Sequence, residues 1–216
     1  MKDIIAFASS LLGLFFLLCN TILFFTNKQV REKTEKTFLW YLFSLFIVEA
    51  VCHLIGFLYF GQNFFVSHFY FYFQLLFLSI LFKKLISNNV LKKIIVIVLI
   101  AQTIILASMY IKDPNSFWNF NNYEIISISI ILILYALYYI FSNLSTEHRF
   151  FNFSIGLILY FACSVTIFSV GNLELVLCED PFIDIWIFNI FFYIIFQIFI
   201  FKEYLFLTSK NKWNEH

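Results

Sequence analysis

The chain has 216 residues, of which 62% are hydrophobic and only 12% carry a charged side chain. A soluble domain usually has about twice that charged fraction, so the composition excludes an ordinary soluble globular protein and predicts an integral membrane protein. The formal net charge of +1 leaves no basic surplus for a polyanion, and we expect no direct nucleic-acid binding.

Seven apolar segments follow one another, and several reach the 18 residues or more that a membrane-spanning helix needs. The strongly charged stretch 28–36 follows the first segment, which is typical of a retained helix rather than a cleaved signal peptide. In chain order the predicted helices cover residues 4–26, 37–60, 64–82, 94–111, 124–141, 150–170 and 182–205. The sequence therefore predicts one all-α, polytopic transmembrane domain over residues 1–216.

Basic residues alternate between the two sides of this predicted bundle. With the N-terminus outside, the outer segments contain only Lys2 and Lys112 among the 14 basic residues of the chain. The inner ones are Lys28, Arg31, Lys33 and Lys36, then Lys83, Lys84, Lys92 and Lys93, then Arg149, and finally Lys202, Lys210 and Lys212. The positive-inside rule thus predicts an outer N-terminus and an inner C-terminus, in a multi-pass protein of the cell inner membrane.

Two ionisable residues interrupt the second apolar segment. Glu49 and His53 are four residues apart, so they share one helical face near the predicted bilayer centre. Only residues 61–63 separate this helix from the third, which makes the two antiparallel neighbours and brings His68 towards His53 and Gln74 towards Glu49. The four side chains define a candidate intramembrane polar pocket. It can be a structural helix–helix contact, a ligand or sensing site, or a place for metal or proton chemistry.

The remaining polar residues at membrane depth are neutral. We expect them to form hydrogen bonds between helices. They are Asn20, Gln102, Asn189 and Gln197. Lys202 and Glu203 mark the inner boundary of the seventh helix, where a lysine can extend its amine towards water.

No catalytic or cofactor-binding constellation is apparent. The only lysine of the seventh segment is Lys202 at its inner end, which excludes a retinal protein with a Schiff base in the middle of that helix. That segment has no histidine, unlike ceramidase-like zinc hydrolases, and the four cysteines show no metal-binding spacing. We predict no enzyme activity, no cofactor and no resident metal.

Three stretches of the chain resemble a known family of bacterial membrane proteins. Residues 67–86 (SHFYFYFQLLFLSILFKKLI), 150–172 (FFNFSIGLILYFACSVTIFSVGN) and 185–202 (IWIFNIFFYIIFQIFIFK) resemble small seven-helix membrane proteins of Bacteroidetes-type bacteria. Such modules occur alone or in front of sensor histidine kinases, which implies a sensory or regulatory role. In that pattern we expect an acid near the position at which this chain has Gln74, so the chain departs from the pattern there. Size and composition are also similar to those of the membrane accessory proteins of type VI-B CRISPR systems.

We therefore predict a non-enzymatic regulatory or sensory membrane protein that acts through a cytoplasmic partner and is embedded in the lipid bilayer. The two basic inner loops are the predicted surface for that partner or for anionic lipid. Two alternatives are an accessory protein that modulates an RNA-targeting CRISPR effector in antiviral defence, and a channel or proton-coupled transporter that uses Glu49, His53 and His68.

Overall fold

The computed structural model describes residues 2–27, 32–59, 63–144, 148–177 and 185–213. Side chains are described for these residues except 2–7, 170–177, 185–187 and 210–213. The described residues form seven α-helices and one short 3₁₀ helix. These are α1 (Lys2–Thr26), α2 (Lys33–Leu58), α3 (Val66–Leu85), α4 (Asn89–Lys112), the 3₁₀ helix (Pro114–Trp118), α5 (Asn122–Ser142), α6 (Phe151–Leu177) and α7 (Ile185–Trp213).

All seven α-helices are long and apolar enough to cross a membrane. The predicted all-helical class and the number of candidate spans are thus confirmed for the part of the chain that the structure describes. Many large apolar side chains on these helices face outwards, among them Phe25, Phe57, Ile104 and Leu134, each at least 58% exposed. A lipid environment would cover such surfaces at no cost in hydration, whereas water would not.

Two helices begin four or five residues earlier than hydropathy predicts, because lysines near their starts lower the local hydropathy. α2 starts at Lys33, where the Glu32 N–H donates to the Glu35 carboxylate at 3.2 Å in a capping box. α4 starts at Asn89, since the Asn88 side chain accepts from the Val90 N–H at 2.9 Å. Caps of this kind stabilise a first helical turn that the apolar pattern does not indicate.

The chain divides into two compact units. The terminal unit comprises Met1–Val30 and Ala136–His216, and the middle unit comprises Arg31–Tyr135. In the terminal unit α7 packs against both α1 and α6, and in the middle unit α2 packs along α3, with α4 on α3 as well. The α2–α3 pairing confirms the predicted hairpin. That the whole chain forms a single domain stays a prediction.

Hydrogen bonds between helices tie the terminal unit together. The Asn20 amide on α1 donates to the Gln197 side chain on α7 at 2.9 Å, and the Ser164 hydroxyl on α6 donates to Asn189 on α7 at 2.7 Å. In the middle unit the Gln102 amide on α4 donates to Ser127 on α5 at 2.7 Å. These contacts confirm the interhelical role predicted for the neutral polar residues.

A carboxylate of α7 completes the start of α6. Glu203 is fully buried, and its two oxygens accept from the backbone N–H groups of Phe150 at 2.6 Å and Phe153 at 3.2 Å. Phe150 has a φ of 66°, the left-handed region that a bulky residue rarely adopts. Glu203, which marks the predicted inner boundary of the seventh helix, is therefore also a structural cap of α6.

Candidate functional site

Three helix ends and the 3₁₀ helix meet at one end of the middle unit. His68 lies in the first turn of α3, Tyr110 in the last turns of α4, and Glu124 in the first turn of α5. The three residues share one hydrogen-bonded group. We call His68, Tyr110 and Glu124, with the Phe117 carbonyl, the His68 cluster.

The connection between α4 and α5 is folded by local hydrogen bonds. The Asp113 carboxylate accepts from the Asn115 N–H at 3.2 Å, and Pro114 supplies the fixed backbone angle that starts the 3₁₀ helix. Asn121 then caps α5 by accepting from the Glu124 N–H at 3.3 Å. This loop carries the Phe117 carbonyl to His68 and brings Glu124 inwards.

Both ring nitrogens of His68 face oxygen atoms. Nδ1 lies 2.6 Å from Glu124 Oε2, and Nε2 lies 2.9 Å from the Phe117 carbonyl oxygen. The Tyr110 hydroxyl donates to the same Glu124 oxygen at 2.6 Å and lies 2.9 Å from His68 Nδ1. The His68 and Glu124 side chains are only 6% and 2% exposed, so water does not compete with these contacts.

These distances determine how protons are distributed. A backbone carbonyl can only accept, so His68 Nε2 carries a proton. At 2.6 Å a second proton lies between His68 Nδ1 and Glu124 Oε2, because two lone pairs at that distance would repel. The pair is then either an imidazolium with a carboxylate or a neutral histidine with a carboxylic acid. In both cases it holds one shared proton in addition to the one on Nε2.

Aromatic rings of the 3₁₀ helix cover the His68 cluster. The Phe117 ring centre lies 5.1 Å from that of His68 and 5.5 Å from that of Tyr110. Trp118 follows, 63% exposed, with its ring 5.4 Å from Phe65 at the start of α3. The position of the 3₁₀ helix is therefore coupled to the His68 Nε2 contact, and a tryptophan sits directly on it.

The four side chains of the predicted polar pocket have different surroundings. His68 contacts Glu124 and Phe117 rather than a partner on α2 in the hydrogen bonds described above. His53 Nδ1 lies 2.8 Å from the carbonyl oxygen of Glu49, one turn back on its own helix. Gln74 is fully buried, and neither polar atom of its amide has a hydrogen-bond partner among the described residues. That His53 and Glu49 lie level with His68 and Gln74 stays a prediction.

Two members of the cluster are not predicted as site residues from the sequence. Glu124 is the first residue of the fifth predicted helix, 124–141, and Tyr110 lies near the end of the fourth, 94–111. A signal for Glu124 does exist, because Asn121 three residues earlier is a helix-capping residue that places Glu124 inside the first turn. No sequence signal places Tyr110 against Glu124. Within the described ranges, no group of three or more His, Cys, Asp and Glu side chains is arranged to hold a metal ion.

The other end of the middle unit is basic. The Lys84 amine at the end of α3 donates to the Thr37 hydroxyl and, at 3.0 Å, to the Lys33 carbonyl oxygen at the start of α2. Lys33, Lys36, Lys83 and Lys93 are exposed and Lys92 is half-buried. The two basic segments thus meet at one end. Lys28 and Arg31, which belong to the same predicted surface, lie outside the described residues.

No protein-family model, curated protein or solved structure matches the chain.

Proposed function

We propose that this chain is a non-enzymatic sensory or regulatory membrane protein whose input site is the His68 cluster. The observation that carries the proposal is the pair of contacts made by His68, 2.6 Å to Glu124 and 2.9 Å to the Phe117 carbonyl. Histidine is the side chain whose charge most readily changes near neutral pH. A histidine that joins a carboxylate to a loop carbonyl links proton binding to the position of that loop.

Either the loss or the gain of one proton would weaken the contact between His68 and Glu124 at this input site. Loss of the shared proton leaves His68 Nδ1 facing a carboxylate oxygen without a hydrogen bond between them. Gain of a second proton, on Glu124, removes the negative charge beside the imidazolium and so weakens the contact. Tyr110 on α4 and the capping Asn121 are the remaining polar side chains described at the cluster. The 3₁₀ helix is therefore held most firmly when one proton is shared.

Trp118 provides the readout for a direct test. The full chain in lipid nanodiscs is titrated from about pH 5 to pH 9, the range in which histidines change charge, while tryptophan emission is recorded. We expect a reversible emission shift in the wild type that is absent in His68→Gln. Trp118→Phe should remove the same shift, which assigns it to the 3₁₀ helix.

A matched control comes from the other histidine at membrane depth. His53→Gln removes an imidazole that contacts its own helix at Glu49, and the emission shift should persist in it. If the shift survives in His68→Gln, or disappears in His53→Gln alone, the His68 cluster is not the input site.

The output is proposed to pass through the basic end of the middle unit, towards a cytoplasmic partner. This assignment depends on the predicted orientation with an outer N-terminus and an inner C-terminus. A reporter enzyme that is active only in the cytoplasm, fused after residue 216, tests the orientation. Activity supports it, whereas a C-terminal fusion active only on the outer side contradicts it.

A proton-coupled transporter or channel is the second candidate. Gln74 favours it, because a fully buried amide without partners among the described residues is costly in an apolar interior unless something polar meets it. Gln74 lies on α3 between two contacts with α5, the His68–Glu124 pair and the Phe82–Tyr135 ring pair at 6.3 Å. Proton flux into liposomes should then fall in Gln74→Leu and Glu124→Gln. Absence of flux in the wild type removes this candidate.

A further inference from the structure

A cleft of about 460 Å³ lies between the start of α6 and the last turns of α7, within the terminal unit. This volume is in the range of small-ligand sites, about 300–1,000 Å³. The polar side chains that line it are His148, Asn152, Lys202 and Ser209. The apolar ones are Phe151, Leu205 and Phe206.

The polar lining carries one cation. Lys202 supplies an ammonium group on an exposed side chain. Asn152 and Ser209 are engaged within the protein, because the Ser209 hydroxyl donates to the Phe206 carbonyl at 2.9 Å and the Asn152 side chain is hydrogen-bonded to Glu203. No Asp or Glu belongs to the lining. An ammonium group with no carboxylate beside it on the cleft wall suits an anion, such as a phosphate.

Glu203 follows Lys202 in the chain but does not oppose an anion in the cleft. Its carboxylate is fully buried and accepts from the Phe150 and Phe153 N–H groups and from Asn152 on the cleft wall, so its charge is held by donors at the start of α6. The same contacts fix the first turn of α6 against α7. The cleft wall is thereby held in place before any ligand arrives.

The apolar part of the cleft continues onto the outer surface of α7. Leu205 is 50% exposed, and Phe201 one turn earlier on the same helix is 42% exposed. The span to which both belong, Phe188–Ser209, ends at this cleft. A ligand in the cleft thus meets the Lys202 ammonium group near the end of the span and an apolar helix face that leads away from it.

We propose that this cleft binds the phosphate headgroup of an anionic phospholipid, with the acyl chains along Leu205 and Phe201. Basic pockets between helices at the cytoplasmic side of a membrane are suited to such headgroups. The position of Lys202, two turns before the end of the span, allows its amine to reach the headgroup level while its methylene groups stay among apolar neighbours. The assignment is independent of the His68 cluster, which lies in the middle unit.

Native mass spectrometry of the full chain in a charge-neutral detergent tests the proposal. Phosphatidylglycerol and phosphatidylcholine of equal chain length are titrated separately, and the dissociation constant of the first bound lipid is measured. We expect tighter binding of phosphatidylglycerol in the wild type. Lys202→Gln should weaken it about fivefold, the effect of one basic group near a membrane surface, and leave phosphatidylcholine unchanged.

Two further variants separate the cleft from general charge attraction. Ser209→Tyr keeps every charge but fills the cleft, and it should also weaken phosphatidylglycerol binding. Lys112→Gln removes an exposed lysine that belongs neither to the cleft nor to the basic end of the middle unit, and it should have no effect. Equal weakening in Lys112→Gln, or unchanged binding in both cleft variants, overturns the proposal.

Glycerol 3-phosphate distinguishes a lipid from a soluble phosphate. It carries the same phosphate without acyl chains, so we expect it to displace phosphatidylglycerol only at a far higher concentration. Displacement at a concentration similar to that of the lipid would make the cleft a site for a soluble anion and would overturn the assignment to a phospholipid.

Discussion

His68 and Glu124 lie 56 residues apart in the chain, yet only 2.6 Å separates His68 Nδ1 from Glu124 Oε2. The contact joins the first turn of α3 to the first turn of α5, with α4 and the 3₁₀ helix between them in sequence. Because both helices run in the same direction from this end, one short polar contact aligns three consecutive helices. The pair thus stabilises the packing of these helices and is also the proposed input site.

A double-mutant cycle on this pair should show strong coupling. We expect His68→Gln and Glu124→Gln to have an interaction free energy of about 1–3 kcal/mol, since each removes the other's charged or proton-sharing partner at a buried position. The free energy of unfolding by sodium dodecyl sulfate in mixed micelles measures it. The same cycle with His53→Gln in place of His68→Gln should be additive, and strong coupling of His53 with Glu124 would contradict the described geometry.

Glu203 should stabilise the first turn of α6. Glu203→Ala leaves the Phe150 and Phe153 N–H groups without their described acceptor, and we expect a loss of about 1–3 kcal/mol in the free energy of unfolding. Glu203→Gln keeps one acceptor oxygen and should lose less. Amide hydrogen exchange localises the effect: exchange at Phe150 and Phe153 should accelerate while exchange at Leu132 in α5 stays unchanged. Uniform acceleration would argue against a local cap.

Close packing of α6 on α7 makes Gly156 intolerant of a side chain. A Cβ at this position would lie 2.5 Å from the Cβ of Phe199, an atom fixed by its own helix, so the helices would have to separate. Gly156→Ala should therefore destabilise the protein by about 1–3 kcal/mol in the same unfolding assay. Gly56→Ala is the matched control, since among the described residues its Cβ would meet the end of the Asn63 side chain, with the amide nitrogen at 3.1 Å. An equal loss in both variants would refute the packing argument.

The lysines at the basic end of the middle unit should separate into two kinds. Lys36, Lys83, Lys84 and Lys93 are all exposed, but Lys84 also holds the start of α2 through Thr37 and the Lys33 carbonyl. Replacing Lys36, Lys83 and Lys93 with glutamine should abolish photo-crosslinking of a cytoplasmic protein from Val90, which is 66% exposed, without changing stability. Lys84→Gln should do the reverse. Retained crosslinking in the triple variant would remove this end as the docking surface.

Hydropathy predicts the helices of this chain well and their polar turns poorly. The apolar runs correspond to all seven helices, because a helix that crosses a bilayer needs about 20 predominantly apolar residues in a row. The first turn of α2 and that of α4 are stabilised by Glu35 and Asn88 instead. Such caps contribute through single hydrogen bonds, to which an average over a window of residues is insensitive.

The candidate site is harder to predict, because it is built from distant parts of the chain. His68 is recognisable as an imidazole in an apolar segment, but its partner depends on which helix packs beside α3. Glu124 resembles a loop acid by position, and only the fold of residues 113–121 turns it inwards. Sequence spacing gives neighbours one turn apart on a helix, as for Glu49 and His53. It does not give neighbours across three helices.

The cap at the start of α6 also constrains the order in which the chain can assemble. The N–H groups of Phe150 and Phe153 find their acceptor 53 and 50 residues later, on α7. During synthesis α6 is therefore complete in length before its first turn has this partner, and an unsatisfied amide in an apolar phase is costly. We expect α6 to remain with the insertion machinery until α7 emerges, so that the two helices enter the bilayer as a pair.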